Sequence, residues 1–249
     1  MRQDTALINS FGCYLKRRFP QKVHKVTVDS GFTCPNRDGS KGRGGCSYCN
    51  NKSFNPNRRR EVPAIEQQIE AGKAVVKKRM GATHVLAYFQ AYSNTYAPLS
   101  ELAERYEQAL ACPGVVGLTI GTRPDCIDAA VVNLLGSYRE RGYDIWLEIG
   151  LQSAHDVTLR RIRRGHDFAT YDQAVRLTRA RGLPVCTHLI LGLPGEDRSM
   201  MMQTLDRVMD TGTDGVKFHP LHIVRHTLLA HQWKREHIPL LAQDEYVGL

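Results

Sequence analysis

Six short runs rich in apolar, largely β-branched residues recur along the chain, at 23–28, 85–89, 115–120, 145–149, 185–191 and 215–219, and most stay apolar on consecutive positions. Runs that stay apolar on successive positions mark strands buried on both faces, as in a parallel sheet. Between them, 63–80, 98–111, 125–141, 156–163 with 171–181, and 197–210 carry an apolar stripe at helical spacing and charged outer faces. Pro63, Pro98 and Pro124 stand near the predicted helix starts, and Gly81, Gly142, Gly182 and Gly212 follow the predicted ends. Strand–helix alternation throughout predicts an α/β fold with a parallel sheet and right-handed crossovers. About six βα units without a dinucleotide-binding fingerprint suit a partial (β/α)6, TIM-like barrel better than a doubly wound sheet. Neither an internal repeat nor a low-complexity linker divides the 249 residues, which read as a single domain. Residues 238–249 read as the opening of a further element that then stops, as in a truncated chain.

The pattern breaks after the first predicted strand. There Cys34, Cys46 and Cys49 fall within sixteen residues, spaced C-x11-C-x2-C, in a loop holding Gly39, Gly42, Gly44 and Gly45. Three thiolates can hold three corners of a cubane [4Fe–4S] cluster and leave the fourth iron open to a small molecule. Glycines let such a loop fold back closely, since they tolerate positive φ. Cys13, Cys112, Cys126 and Cys186 are isolated in apolar or helical contexts and read as buried thiols. An odd count of seven without regular spacing argues against a disulfide framework and for reduced cysteines, hence a cytosolic setting.

Composition adds two constraints. The hydrophobic share of 42% and charged share of 24% are ordinary for a globular protein, and no apolar run is long enough to cross a bilayer. The first residues, Met1 to Thr5, start polar and show no signal-peptide core. A net charge of +9, gathered at Lys16-Arg17-Arg18, Arg58-Arg59-Arg60, Lys77-Lys78-Arg79 and Arg160 to Arg164, raises the odds of a polyanionic partner.

In a parallel βα architecture, functional groups gather on loops at the carboxyl ends of strands. The cysteine loop lies on that face. So do Gln90-Ala91-Tyr92, Gly121-Thr122-Arg123-Pro124-Asp125, Glu148, Gly150 and Gln152, His188, Gly192-Leu193-Pro194-Gly195-Glu196, and His219-Pro220. Six strands thus deliver polar or glycine-rich endings around one mouth.

Those same segments, with Leu147 to Ser153 and Arg163-Arg164-Gly165-His166, resemble radical S-adenosylmethionine (SAM) enzymes over about residues 23–231. Within that superfamily the chain is similar to the small YhcC/YtqA-type proteins, in the branch of the Elongator catalytic subunit and oxygen-independent coproporphyrinogen oxidase. The resemblance implies a radical SAM barrel with a [4Fe–4S] cluster on Cys34, Cys46 and Cys49. SAM would chelate the open iron, and one electron, from a flavodoxin- or ferredoxin-type donor, would yield a 5′-deoxyadenosyl radical. Tyr48 resembles the family aromatic that packs near the adenine, Gln152 a glutamine near the ribose, and Arg164 an arginine that pairs with the SAM carboxylate. Gln90 and Tyr92 stand where the family commonly has Gly-Gly-Glu, and His188 where relatives can carry an aspartate. Glu148 is a further candidate SAM contact. The Elongator likeness and the net charge together suggest an RNA substrate, such as a wobble uridine in tRNA.

Two rival readings stay open on sequence alone. Cys34, Cys46 and Cys49 with His24 could bind zinc in a nucleic-acid-binding module. The cluster could also serve an electron carrier without SAM chemistry.

Overall fold

The computed structural model describes residues 8–54 and 62–249; Met1 to Thr5 and Arg58-Arg59-Arg60 lie outside them. The described elements run α1 (Phe11–Arg18), β1 (Val23–Val28), α2 (Asn51–Phe54), α3 (Ile65–Met80), β2 (His84–Phe89), α4 (Leu99–Leu110) and β3 (Val115–Thr122). They continue with α5 (Ala129–Glu140), β4 (Asp144–Gln152), α6 (Asp156–Arg161), α7 (Phe168–Ala180), β5 (Val185–Leu191), α8 (Arg198–Asp210), β6 (Gly215–Pro220), α9 (Leu228–Glu236) and α10 (Gln243–Val247). All six expected strands form, with ends within three residues of the predicted ones. The short helices α1, α2, α9 and α10 are additional to the expected set.

The strands pair in sequence order, β1 to β6, and every pairing is parallel. Flat, such a sheet would hold β2 and β6 about 19 Å apart, four strand spacings. Instead Lys217 Nζ on β6 reaches the Tyr88 hydroxyl on β2 at 3.5 Å. The sheet is therefore curled into a partial barrel, with β1 and β6 as its unpaired edges among the described residues.

Period-two alternation divides each strand between two environments. On β4, Ile145, Leu147, Ile149 and Leu151 join the apolar core shared with the helices. Asp144, Trp146, Glu148 and Gly150 point the other way, into the barrel, as their partners there show. On β5, Val185, Thr187, Leu189 and Leu191 are buried outward while Cys186, His188 and Ile190 are half-buried inward. The helices cover the outer face and are capped by Asp128, Asp167, Asp197 and Thr227, whose side chains accept the orphan amides of α5, α7, α8 and α9.

Helix α1 closes the amino-terminal end of the barrel. Phe11 and Tyr14 meet the Trp146 ring edge-on at 5.3 and 5.1 Å, and the Tyr14 hydroxyl donates to Asp144 Oδ1 at 2.7 Å. Of the isolated cysteines, Cys112 is buried as expected, whereas Cys13, Cys126 and Cys186 are only half-buried.

Gly117 shows how tightly β3 and β4 approach: a Cβ there would lie 1.9 Å from the Asp144 carbonyl oxygen. Because the obstacle is backbone, repacking offers no relief. Gly117→Ala is expected to cost about 3 kcal/mol or more, read as a lowered urea midpoint with an unchanged slope.

Candidate active site

A cavity of about 360 Å³ opens at the carboxyl ends of the strands. The three loop cysteines line it together, and so do Tyr48, Gln90, Tyr92, Glu148, Gln152, Arg164 and His188. Every residue singled out from the sequence as a cluster or SAM contact thus borders one space.

The cysteine loop is held by its own backbone. Cys34 carbonyl accepts the Arg37 amide at 2.8 Å, Pro35 carbonyl the Lys41 amide at 2.9 Å, and Asn36 carbonyl the Gly45 amide at 2.8 Å. Gly45 has φ of +84°, and a Cβ there would meet the Arg37 guanidinium at 2.9 Å. A turn in which the Cys49 amide donates to the Cys46 carbonyl at 3.0 Å sets the C-x2-C pair. Asn36 Nδ2 then ties the loop to the segment after α6, donating to the carbonyls of Arg163 and Arg164 at 2.8 and 3.0 Å.

Cations surround the thiols. Arg164, buried against the loop, places Nη1 3.4 Å from Cys46 Sγ and donates through Nη2 to the Gly150 carbonyl. Its Nε has no partner. Burial pushes the Cys46 thiol up, but the charge and hydrogen bond of Arg164, with Arg123 and Asn36, outweigh it and lower its pKa. Cys49 is the opposite case: burial and the Cys46 charge raise it, although Arg37 pulls the other way. Arg37 Nη2 donates to the Cys49 carbonyl at 2.8 Å. Buried cations beside thiols favour the thiolate, the form that ligates iron.

The SAM-contact candidates arrive by different routes. A β-bulge inserts Leu151 between Gly150, opposite His188, and Gln152, opposite Leu189. With φ of +86°, Gln152 lines the cavity beside Gly150, whose missing Cβ leaves room for the Gln152 amide and the Arg164 guanidinium. Tyr92 also adopts a positive φ, 65°, in the turn after β2. Tyr48 is half-buried against the core, and burial raises its hydroxyl, followed by the Cys46 charge.

Glu148 is committed to other side chains. Its carboxylate accepts from Lys25 Nζ, from the Tyr88 hydroxyl at 2.7 Å and from His188 Nε2 at 2.6 Å. Burial alone would raise the carboxyl, but His188, Lys25 and Lys217 overcome it and hold Glu148 well below the usual carboxylate range. Burial lowers His188 more than Glu148 raises it. Lys25 and Lys217, absent from the sequence-based set, are the cations of this floor; so are Asn36 and Arg37 new to the loop. A lysine inside an apolar strand run was the signal for the first two.

Zinc ligation by Cys34, Cys46, Cys49 and His24 finds no support in this arrangement. His24 sits at the start of β1 with its ring against the Lys25 carbonyl, and it does not border the cavity. Among the described residues no three His, Cys, Asp or Glu side chains converge on a single ion. Ligands to three separate irons of a cube stand farther apart than ligands to one ion, so the three free thiols around one cavity suit the cluster.

Comparison with known proteins agrees with this geometry. The Radical SAM superfamily model matches residues 34–208 and the Radical_SAM C-terminal domain model residues 213–249. Protein YhcC of Escherichia coli K12 is 49% identical over 240 residues, covering 96% of this chain and 76% of that protein. The tRNA uridine(34) acetyltransferase of Methanocaldococcus jannaschii is 30% identical over 140 residues, 54% of this chain and 25% of that protein. The solved structure of coproporphyrinogen III oxidase (HemN) from E. coli, a radical SAM enzyme, matches the fold with a TM-score of 0.60 at 17% identity. It covers 94% of this chain, which spans 52%, about half, of that protein's length. A half-barrel with a cysteine loop at its mouth defines a class, and the chain belongs to it: it is a member of the radical SAM superfamily. The cofactors of that family are a [4Fe–4S] cluster and SAM.

Arg123 and Asp125 anchor the neighbouring turn. Arg123 Nε and Nη2 each donate to Asp125 at 2.9 Å, Lys41 Nζ approaches it at 2.7 Å, and both Arg123 and Asp125 are buried. Burial raises the Asp125 carboxyl, but Arg123 and Lys41 pull it down to about 2. A folded-state pKa below the unfolded value of about 3.9 gives stability that is present above pH ~4 and lost as pH falls through about 2. Asp125→Asn leaves Arg123 buried without its counter-charge and is expected to cost about 3–5 kcal/mol at neutral pH. Urea melts across the acid range should show that the difference from wild type shrinks between pH ~4 and ~2.

Proposed function

We propose that the chain is a radical SAM enzyme in which Cys34, Cys46 and Cys49 hold a [4Fe–4S] cluster at three corners. The observation that carries this reading is the meeting of those three thiols and the SAM-contact candidates around one cavity. When bound, the reduced cluster supplies reductive cleavage of SAM to a 5′-deoxyadenosyl radical that removes hydrogen from a substrate. The chain's own residues bind and orient. Arg164, already neutralising Cys46, lines the cavity and keeps a second hydrogen on each of Nη1 and Nη2 for the SAM carboxylate. Gln152 offers amide groups to the ribose, Tyr48 an aromatic face to the adenine, and Gln90 and Tyr92 a turn for the methionine amino group. An external flavodoxin- or ferredoxin-type protein supplies the electron.

For the substrate, RNA is the reading that the relatives favour, because one of them is named for modifying uridine 34 of tRNA. The net charge of +9 supports it. Phosphate-driven binding must weaken with salt. Affinity for tRNA should therefore fall about tenfold or more between 50 and 200 mM salt, measured by filter binding; salt-independent or absent binding removes RNA from the proposal.

Cluster loading is tested by anaerobic reconstitution. Cys34→Ala, Cys46→Ala and Cys49→Ala should each reduce bound iron from about four per chain to below about one and abolish 5′-deoxyadenosine formation with dithionite. Far-ultraviolet circular dichroism should stay unchanged, and Cys112→Ala, buried elsewhere in the core, should behave as wild type. A wild-type protein that retains the cluster but cleaves no SAM would be an electron carrier instead.

A further inference from the structure

Beside the cysteine loop, the same cavity is lined by Lys217, Tyr88, His188 and His219. Cluster binding leaves Lys217 and His219 without a task. Their surroundings specify what they can receive. Glu148, a carboxylate bordering this part of the cavity, is already engaged by Lys25, the Tyr88 hydroxyl and His188, with Lys217 Nζ standing 3.6 Å away. Lys25 lies behind Glu148, between it and the Phe11 ring, with Nζ 4.2 Å from that ring's centroid. The Lys25–Glu148 pair is therefore neutral as a unit, and a cationic substrate group finds no open carboxylate there.

Lys217 is differently placed. Its Nζ stands 3.6 Å from Glu148 Oε2 and makes a long hydrogen bond, 3.5 Å, to the Tyr88 hydroxyl. The side chain is 41% exposed and borders the cavity. An ammonium has three donors and no acceptor, so Lys217 keeps donor capacity toward the cavity. Two residues along the same inward face of β6, His219 packs its ring 5.2 Å from His188. Burial, then His188 and Lys217, hold His219 down to about 4, so at neutral pH it offers one neutral N–H. An ammonium with free donors, one neutral donor and a carboxylate already engaged by three donors, half-enclosed by protein, select an anion with several acceptor lone pairs.

We propose that this end of the cavity is a subsite for an oxyanion of the substrate, a carboxylate or a phosphate group such as the RNA backbone carries, received by Lys217 with His219 as second donor. The proposal rests on the reading that this cavity is the active site. It adds that the substrate enters with its anionic end toward β6 and its reacting carbon toward the cysteine loop.

Lysine-directed acylation of the cluster-reconstituted protein, followed by mass spectrometry, tests it. Labelling is run at fixed ionic strength in chloride, inorganic phosphate or acetate. At ten times the half-saturating concentration of a bound anion, Lys217 should label about tenfold more slowly, while the exposed Lys78 is unaffected. Protection by phosphate alone identifies a phosphoryl group, and protection by acetate a carboxylate. His219→Ala should raise the half-saturating concentration about fivefold, the loss of one hydrogen bond. Lys217 labelling that ignores both anions, or that slows only in step with Lys78, overturns the subsite. Formation of 5′-deoxyadenosine without substrate, assayed on the same preparation, reports separately on the radical SAM reading: its failure sinks that reading, whereas its success with unprotected Lys217 sinks the subsite alone.

Discussion

Placing charged side chains inside a curled sheet is costly unless each meets an opposite charge or a donor where it stands. The inner face of this barrel meets that demand at successive levels along β4. Near the closed end, Asp144 accepts from Tyr14 and lies 3.8 Å from Arg18 of α1. Two residues beyond Trp146, Glu148 gathers Lys25, Tyr88 and His188 from β1, β2 and β5. At the open end, Gly150 gives up its side chain so that Arg164 can bond its carbonyl and face Cys46. The buried Arg123–Asp125 pair fixes the adjoining turn by the same logic. Removing one member of any such pair strands the other, so the polar interior specifies a particular curl as well as a particular chemistry.

That arrangement separates two tasks that share each strand. Outward positions form the apolar core with the helices and keep the sheet rigid. Inward positions carry function, and their spacing along the barrel axis sorts them. Thiols and guanidinium groups sit at the mouth, the Gln152 bulge and the Tyr92 turn beside them, and the lysine–histidine floor beneath. At the opposite end, α1 packs Phe11 and Tyr14 on Trp146 and closes the barrel below the cavity.

Much of the architecture was legible because parallel strands announce themselves by consecutive apolar residues and their helices by caps and glycines. The cysteine spacing, together with the Gly-Thr-Arg-Pro-Asp turn and the Gly-Leu-Gln-Ser strand end, places the candidate site at one mouth from the residues alone. What consecutive apolar runs conceal is the register of the inner face. Lys25 stands beside His24 in a run with polar residues on both faces, and Lys217 and His219 share a run of only five residues, so neither pattern discloses which way its strand is turned. Glu148 was visible as a candidate, yet its partners come from strands far apart in sequence. The bulge at Leu151 depends on a positive φ at Gln152 that no residue type there advertises. Helix α1 escaped notice because it buries little beyond Leu15 and earns its place through aromatic contacts to Trp146.

Radical SAM chemistry at this site requires a cluster held by three thiols and no fourth protein ligand, with one iron left for SAM. Electron paramagnetic resonance of the dithionite-reduced, reconstituted protein titrated with SAM addresses that directly. A saturable change in the cluster's g-values, complete at about one SAM per chain, is the predicted result, since a new ligand on one iron alters the cluster's electronic structure. A spectrum that saturating SAM leaves unchanged would mean that the fourth iron is closed or absent, and would contradict the account.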